Sequence, residues 1–167
     1  MVEADYAIIH ANELVTMSGA SKKPKVKEGM SEVGAIKDGA VAFKDGRIVA
    51  VGTTREVLDK LDKGFEVIDA SGKLVTPGLI DPHVHLIFAG TREHELEMMI
   101  KGIPYLEIKA RGGGMPTTLK KVRETSTEEL IKITRKILDT MLIHGTTTIE
   151  AKSGYDMSFE GEIRQLE

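Results

Sequence analysis

Two imidazoles stand two residues apart in His83-Val84-His85. On an extended strand the side chains at i and i+2 leave the same face, so this pair can converge on one cation. The bland alternative is a pair of surface or internally satisfied histidines, and spacing alone does not separate the two. The run leading into them favours the cation. It reads Val75-Thr76-Pro77-Gly78-Leu79-Ile80-Asp81-Pro82, and its apolar Leu79-Ile80 predicts a buried strand with both histidines at the C-terminal end. The sequence holds no cysteine. Disulfides and thiolate sites are therefore excluded, and a transition metal would rest on histidines and carboxylates.

Other residues can act on a ligand beside that pair. Arg92 lies just beyond the strand end, and a guanidinium is the natural fork for a carboxylate. Its alternative is a helix-start arginine paired with Glu93 or Glu95. Tyr155, in Lys152-Ser153-Gly154-Tyr155, follows a second predicted strand, where a phenol can hydrogen-bond a ring or a carboxylate or simply pack. Tyr105, in Pro104-Tyr105-Leu106, can equally be a helix start that packs inward. His94 reads as a surface histidine, and His10 and His144 as structural ones. Gly112-Gly113-Gly114 lets backbone amides approach a ligand or supplies a hinge, but no Lys-Ser/Thr follows to make it a P-loop.

These groups need elements to hold them. From Tyr6 to about Gly72 short apolar runs alternate with turn residues, which predicts a β-rich segment. Ala7-Ile8-Ile9 is a first strand, and Ser18 to Asp38, rich in Gly, Ser and Lys, reads as a long mobile loop. Ala40-Val41-Ala42-Phe43 and Ile48-Val49-Ala50-Val51 flank Asp45-Gly46, a strong hairpin signal. Thr53 or Thr54 can cap a short helix running to about Leu61. Val67-Ile68-Asp69 and Leu74-Val75-Thr76 then read as strands around the turn Asp69-Ala70-Ser71-Gly72. Further on, Ser126-Thr127-Glu128-Glu129 is a capping box. Leu130, Ile133, Ile137, Leu138, Met141 and Leu142 form one apolar helix face, which Gly145 can end. Thr146 to Ala151 reads as a strand, and Ser158 opens another helix. Strand, crossover helix, strand, helix predicts a parallel sheet, which needs covering on both faces; two strands cannot complete it, so the 167 residues read as an unfinished fold.

Charge narrows the partners. Lys and Arg number 23 against 26 Asp and Glu, scattered without a basic stripe, which argues against nucleic acid. The acidic start Met1-Val2-Glu3-Ala4-Asp5 lacks the features of a secretory signal, and no apolar stretch approaches the ~20 residues of a membrane span. The expectation from these features is a cytoplasmic protein; a small-molecule substrate and a possible homodimer are expectations that charge does not supply.

A hairpin region followed by Thr-Pro-Gly-Leu-Ile-Asp-Pro-His-Val-His resembles the amidohydrolase superfamily at the entrance to its barrel. Phe88-Ala89-Gly90-Thr91-Arg92-Glu93-His94-Glu95, Gly112-Gly113-Gly114-Met115 and Glu150-Ala151-Lys152-Ser153-Gly154-Tyr155 are similar, in order and spacing, to the imidazolonepropionase family within it. Asp156-Met157 departs from the Gly-Leu usual there, which bears on the local backbone. The resemblance implies an α/β fold: residues 1–76 as part of a small β-sandwich, and residues 77–167 as the first two units of a (β/α)8 TIM-type barrel. It implies one divalent metal, zinc or iron, on His83 and His85, and substrate contacts from Arg92, Tyr155 and Tyr105. Lys152 is then a structural support rather than a bridging ligand. No catalytic base is assigned, and a further His and a late Asp are expected beyond Glu167. The implied reaction is hydrolysis of 4-imidazolone-5-propanoate to N-formimidoyl-L-glutamate, by the whole protein rather than by these residues alone. The alternatives are another amidohydrolase acting on a cyclic amide or nucleobase-like ring, and a non-catalytic β-rich module.

Overall fold

Ten residues of β1 (Tyr6–Val15) organise the first part of the chain. The computed structural model describes residues 1–19 and 23–167, in two units, Met1–Pro77 and Gly78–Glu167. In the first unit β1 pairs along one edge with β2 (Ala35–Lys44), antiparallel, and β2 pairs onward with β3 (Arg47–Thr53). The turn between β2 and β3 is Asp45-Gly46, both at positive φ (48° and 72°), as a two-residue hairpin with right-handed twist demands. Along its other edge β1 takes two short parallel strands in succession, β4 (Glu66–Asp69) and then β5 (Leu74–Val75). Those two strands thus pair with β1 rather than with each other. The turn joining them is held by Asp69 Oδ1, which accepts from the Ser71 N–H and hydroxyl at 2.9 and 2.6 Å.

A bulge between Ile8 and Ala11, with His10 at φ 58°, sets which side chains face which core. Strict alternation would group Ala11 with Ala7 and Ile9; the extra residue shifts the period by one. Ala7 and Ile9 accordingly pack with Ala40, Ala42, Val57 and Leu61, while Ala11 packs with Ile8, Val41 and Ala70. Helix α1 (Thr54–Leu58) delivers Val57 to the first of these cores. It begins in a reciprocal capping box between Thr53 and Glu56 and stops three residues short of the Leu61 expected from sequence. The expected Ser18–Asp38 loop is also shorter, because Ala35 to Asp38 belong to β2 and Lys27–Ser31 form a 3-10 turn. Ala20 to Lys22, within that loop, lie outside the described residues.

The second unit joins β6 (Leu79–Val84) to β7 (Thr146–Ala151) in parallel, with Val84 opposite Ala151. Between them run α2 (Glu93–Ile100), α3 (Tyr105–Ala110), α4 (Met115–Glu124) and α5 (Thr127–Ile143); α6 (Phe159–Leu166) follows. The architecture is mixed α/β. Ala89, Val122 of α4 and Leu130 of α5 form its buried cluster, with Phe88, Ile133 and Tyr155 against them. Two expectations fail here. Leu79 and Ile80 are 54% and 68% exposed instead of buried. Among the described residues only β7 flanks β6, and a parallel strand needs cover on both faces to bury its apolar run. For the same reason the apolar face of α5 is fully buried only at its start: Leu130 is buried, Ile133, Ile137 and Met141 half-buried, and Leu142 exposed. Half of the expected capping box is present as well. The Ser126 hydroxyl accepts from the Glu129 N–H, but the Glu129 carboxylate lies 3.5 Å from Lys132 Nζ instead of returning to the cap.

The segment after β7 is fastened by charge. Asp156, buried, accepts from the Ser158 hydroxyl at 2.6 Å, with Arg123 Nε of α4 at 3.4 Å and Arg164 Nη2 of α6 at 3.9 Å from its carboxylate. Glu162 Oε1 accepts from the N–H groups of Asp156 and Met157. The Asp156-Met157 departure is therefore accommodated by an ionic clasp, with Met157 at φ 64°. The Ser158 hydrogen bond and the Arg123 charge hold the Asp156 carboxyl below its ordinary range. A lowered native pKa makes the clasp stabilising above the unfolded value of about 4, and that stability is lost as pH falls through the native value. Asp156→Asn in the intact protein should cost about 1–3 kcal/mol in urea melts at neutral pH, and wild type and variant should converge as the pH is taken below about 4.

Candidate active site

The site is built where β6 and β7 end side by side. Beyond the Val84–Ala151 pair, the Lys152 N–H donates to the Val84 carbonyl at 2.8 Å, which carries the parallel ladder up to His85 and the Lys-Ser-Gly-Tyr turn. The His85 ring then stands edge-on to Tyr155, centroids 5.1 Å apart, and Tyr155 tilts against Phe88 at 6.3 Å. Gly154 makes this approach feasible: a Cβ there would lie 2.9 Å from His85 Cε1, too near for any side chain.

His83 and His85 do leave the strand together. Their ring centroids are 5.3 Å apart at an interplanar angle of 65°. Two imidazoles sharing a tetrahedral ion at about 2 Å from each nitrogen have centroids about 5 Å apart, so the spacing fits. The chemistry of the pair agrees, because His85 Nδ1 is buried without a hydrogen-bond partner. Three or more His, Asp or Glu side chains never gather closely enough for a metal among the described residues. The pair could supply at most two of the three or four donors such an ion takes. Near it, Lys152 Nζ is bonded to the Glu150 carboxylate, whose pKa that contact lowers; the lysine is engaged within the protein.

A cavity of about 230 Å3 opens beside His85, lined also by Phe88, Thr91, Arg92, Thr118 and Tyr155. Three residues singled out from sequence, His85, Arg92 and Tyr155, therefore face one space. Arg92 reaches it from the N-cap position of α2, and its Nε lies 3.9 Å from Glu95 Oε1, so the helix-start pairing coexists with the cavity position. Tyr155 both packs in the apolar cluster and lines the cavity. Tyr105 does not line it. This tyrosine starts α3, half exposed, with its hydroxyl over the backbone of Gly114. His94 is exposed, and His144 caps α5, its Nδ1 2.8 Å from the Thr140 carbonyl. His10 Nδ1 lies 3.1 Å from Asp38 Oδ1 in the first unit, beside an open polar cleft of about 640 Å3; with its imidazole engaged, that larger cleft lacks the chemistry of the smaller one. Thr118 has no signal of its own in the sequence, and Glu95 has one only as a possible helix-start partner of Arg92, not as a buried group. Thr118 is an unremarkable α4 threonine, and Glu95 looks like any first-turn helix acid.

Comparison with known proteins follows the same residues. The amidohydrolase family profile matches residues 66–103, the stretch that carries both histidines and Arg92. The imidazolonepropionase of Geobacillus kaustophilus (strain HTA426) is 52% identical over 161 residues, 94% of this chain and 38% of that protein. The chain thus spans little more than a third of the length of that relative. Among solved structures, E. coli guanine deaminase superposes with a TM-score of 0.58 at 19% identity, over 87% of this chain and 30% of that one. The atrazine chlorohydrolase of Arthrobacter aurescens TC1, solved with zinc, gives 0.50 at 18% identity, over 96% and 32%. Likeness at such low identity speaks to the fold alone. Sequence carries the rest: the chain belongs to the amidohydrolase family, and relatives that it matches along nearly all its length are imidazolonepropionases.

Proposed function

We propose that the protein of which these residues form part hydrolyses the cyclic amide of 4-imidazolone-5-propanoate to N-formimidoyl-L-glutamate. The observation that carries this reading is one cavity in which an imidazole, a guanidinium and a phenol meet, in a chain half identical to an imidazolonepropionase. The substrate is a small polar ring bearing a carboxylate, and each of its parts has a counterpart. Arg92 can take the propionate through two parallel N–H donors. Tyr155, fixed by Phe88 and His85, presents a phenol to the ring or the carboxylate. Phe88 gives the ring an apolar wall and keeps water from that side. His83 and His85 would hold a divalent ion, zinc or iron, with donors supplied from elsewhere in the protein. When bound, such an ion polarises the carbonyl under attack and lowers the pKa of water.

We read the two units as part of a small β-sandwich and the opening βα units of a (β/α)8 barrel. In this reading the site stands at the C-terminal ends of the barrel strands, the usual place for catalysis in that fold. The partner is a small molecule, the setting cytoplasmic, and the assembly to test a homodimer. No helix among the described residues is long and apolar enough to cross a membrane.

In the intact protein, replacing both His83 and His85 by Ala should abolish stoichiometric zinc or iron by elemental analysis and reduce turnover at least a thousandfold, of the order attached to a lost catalytic group. A double variant with full metal content and activity would refute the metal assignment. Tyr155→Phe should raise KM about three- to tenfold with little change in kcat, the loss of one substrate hydrogen bond. Assay on imidazolonepropionate against hydantoins and guanine tests the substrate: preference for either of the latter overturns it.

A further inference from the structure

Glu95 is 1% exposed, and the chemistry assigned so far does not use it. A carboxylate is seldom buried so completely without partners that need it. Two such partners are present. The Gly114 N–H donates to Glu95 Oε1 at 2.6 Å, and Arg92 Nε lies 3.9 Å from the same oxygen, while Oε2 is buried without a hydrogen-bond partner. Gly114 in turn lies under Tyr105, since a Cβ there would stand 3.0 Å from the Tyr105 hydroxyl. One buried carboxylate therefore meets both the arginine of the cavity and the glycine turn that lies under Tyr105.

From this we infer that Glu95 is a positioning residue: it holds the Arg92 guanidinium by its Nε side and so orients the fork for the substrate's carboxylate. The inference rests on the proposed role of Arg92 as the carboxylate anchor. At 3.9 Å the contact is an ion pair rather than a hydrogen bond, and a carboxylate on the Nε side leaves the two terminal nitrogens free for a bidentate bond. It also limits the rotamers of a long, flexible side chain before the ligand arrives, so less order is lost on binding. The i, i+3 spacing of Arg92 and Glu95 across the first turn of α2 makes the contact local, and the Gly114 hydrogen bond from outside the helix keeps the carboxylate from swinging away.

Glu95→Gln separates the two contacts, because the amide oxygen can still accept from Gly114 while the charge facing Arg92 is gone. In the intact, metal-loaded protein, Glu95→Gln should raise KM for imidazolonepropionate about tenfold with kcat within about twofold, the size of one charge-assisted contact. It should leave KM unchanged for an imidazolone whose side chain ends in a neutral amide. Arg92→Ala should show the same selectivity more strongly, and adding Glu95→Gln to Arg92→Ala should have no further effect on KM. If Arg92→Ala is selective but Glu95→Gln is not, or if the two effects add, the positioning role is overturned and the anchor stands. If Arg92→Ala is itself unselective, the anchor falls and the inference with it. Should Glu95→Gln not yield folded protein, Glu95→Asp draws the carboxylate back by one methylene. It should give the same selective rise, smaller; equal changes on both substrates would mark Glu95 as merely structural.

Discussion

Parallel pairing of β6 with β7 is the constraint on which the site depends. Its hydrogen bonds run from Leu79 opposite Thr146 to Val84 opposite Ala151, and the Lys152 N–H extends the ladder one step further. That last bond aligns the ends of two strands separated by more than sixty residues of helix and loop, and so sets His85 against Gly154 and Tyr155. A slip of one residue would break the alignment that brings the Gly154-Tyr155 segment against His85.

Helices α2 and α4 then close the cavity around this strand end. Arg92 comes from the cap of α2 and Thr118 from the buried face of α4, whose Val122 anchors the apolar cluster that also holds Tyr155. Packing and cavity lining are thus joined in one residue: Tyr155 faces the core with part of its ring and the cavity with the rest. The Asp156 clasp to Arg123 and Arg164 fixes the next residue along the chain, so the tyrosine is held from its C-terminal side by charge and from its N-terminal side by the ladder.

Exposed apolar surface on β6 and on the later turns of α5 follows from the same geometry. Two parallel strands offer too few neighbours to cover both faces, and Leu79, Ile80 and Leu142 stay open although their types are those of a core. The first unit differs, because β1 has strands on both edges and a helix over one face, and its small residues Ala7, Ala11, Ala40 and Ala42 are almost wholly buried.

What the sequence determined by itself are the features that short-range physics controls. Asp45-Gly46 specifies a hairpin because both residues accept positive φ, and Ser126 starts α5 through its own hydroxyl. A spacing of i and i+2 between imidazoles means a shared face wherever the backbone is extended, and His83 and His85 obey that rule. The motifs around Arg92 and Tyr155 were legible because they are contiguous words. Tertiary structure alone decided what depends on distant partners: the bulge at His10 that regroups the β1 side chains, the parallel capture of β4 and β5 by β1, and the burial of Glu95 beneath Arg92 and Gly114. The same holds for which side chains line the cavity and for the exposure of Leu79 and Ile80. No local periodicity encodes such facts, since each one is fixed by the neighbour that long-range pairing brings up to it.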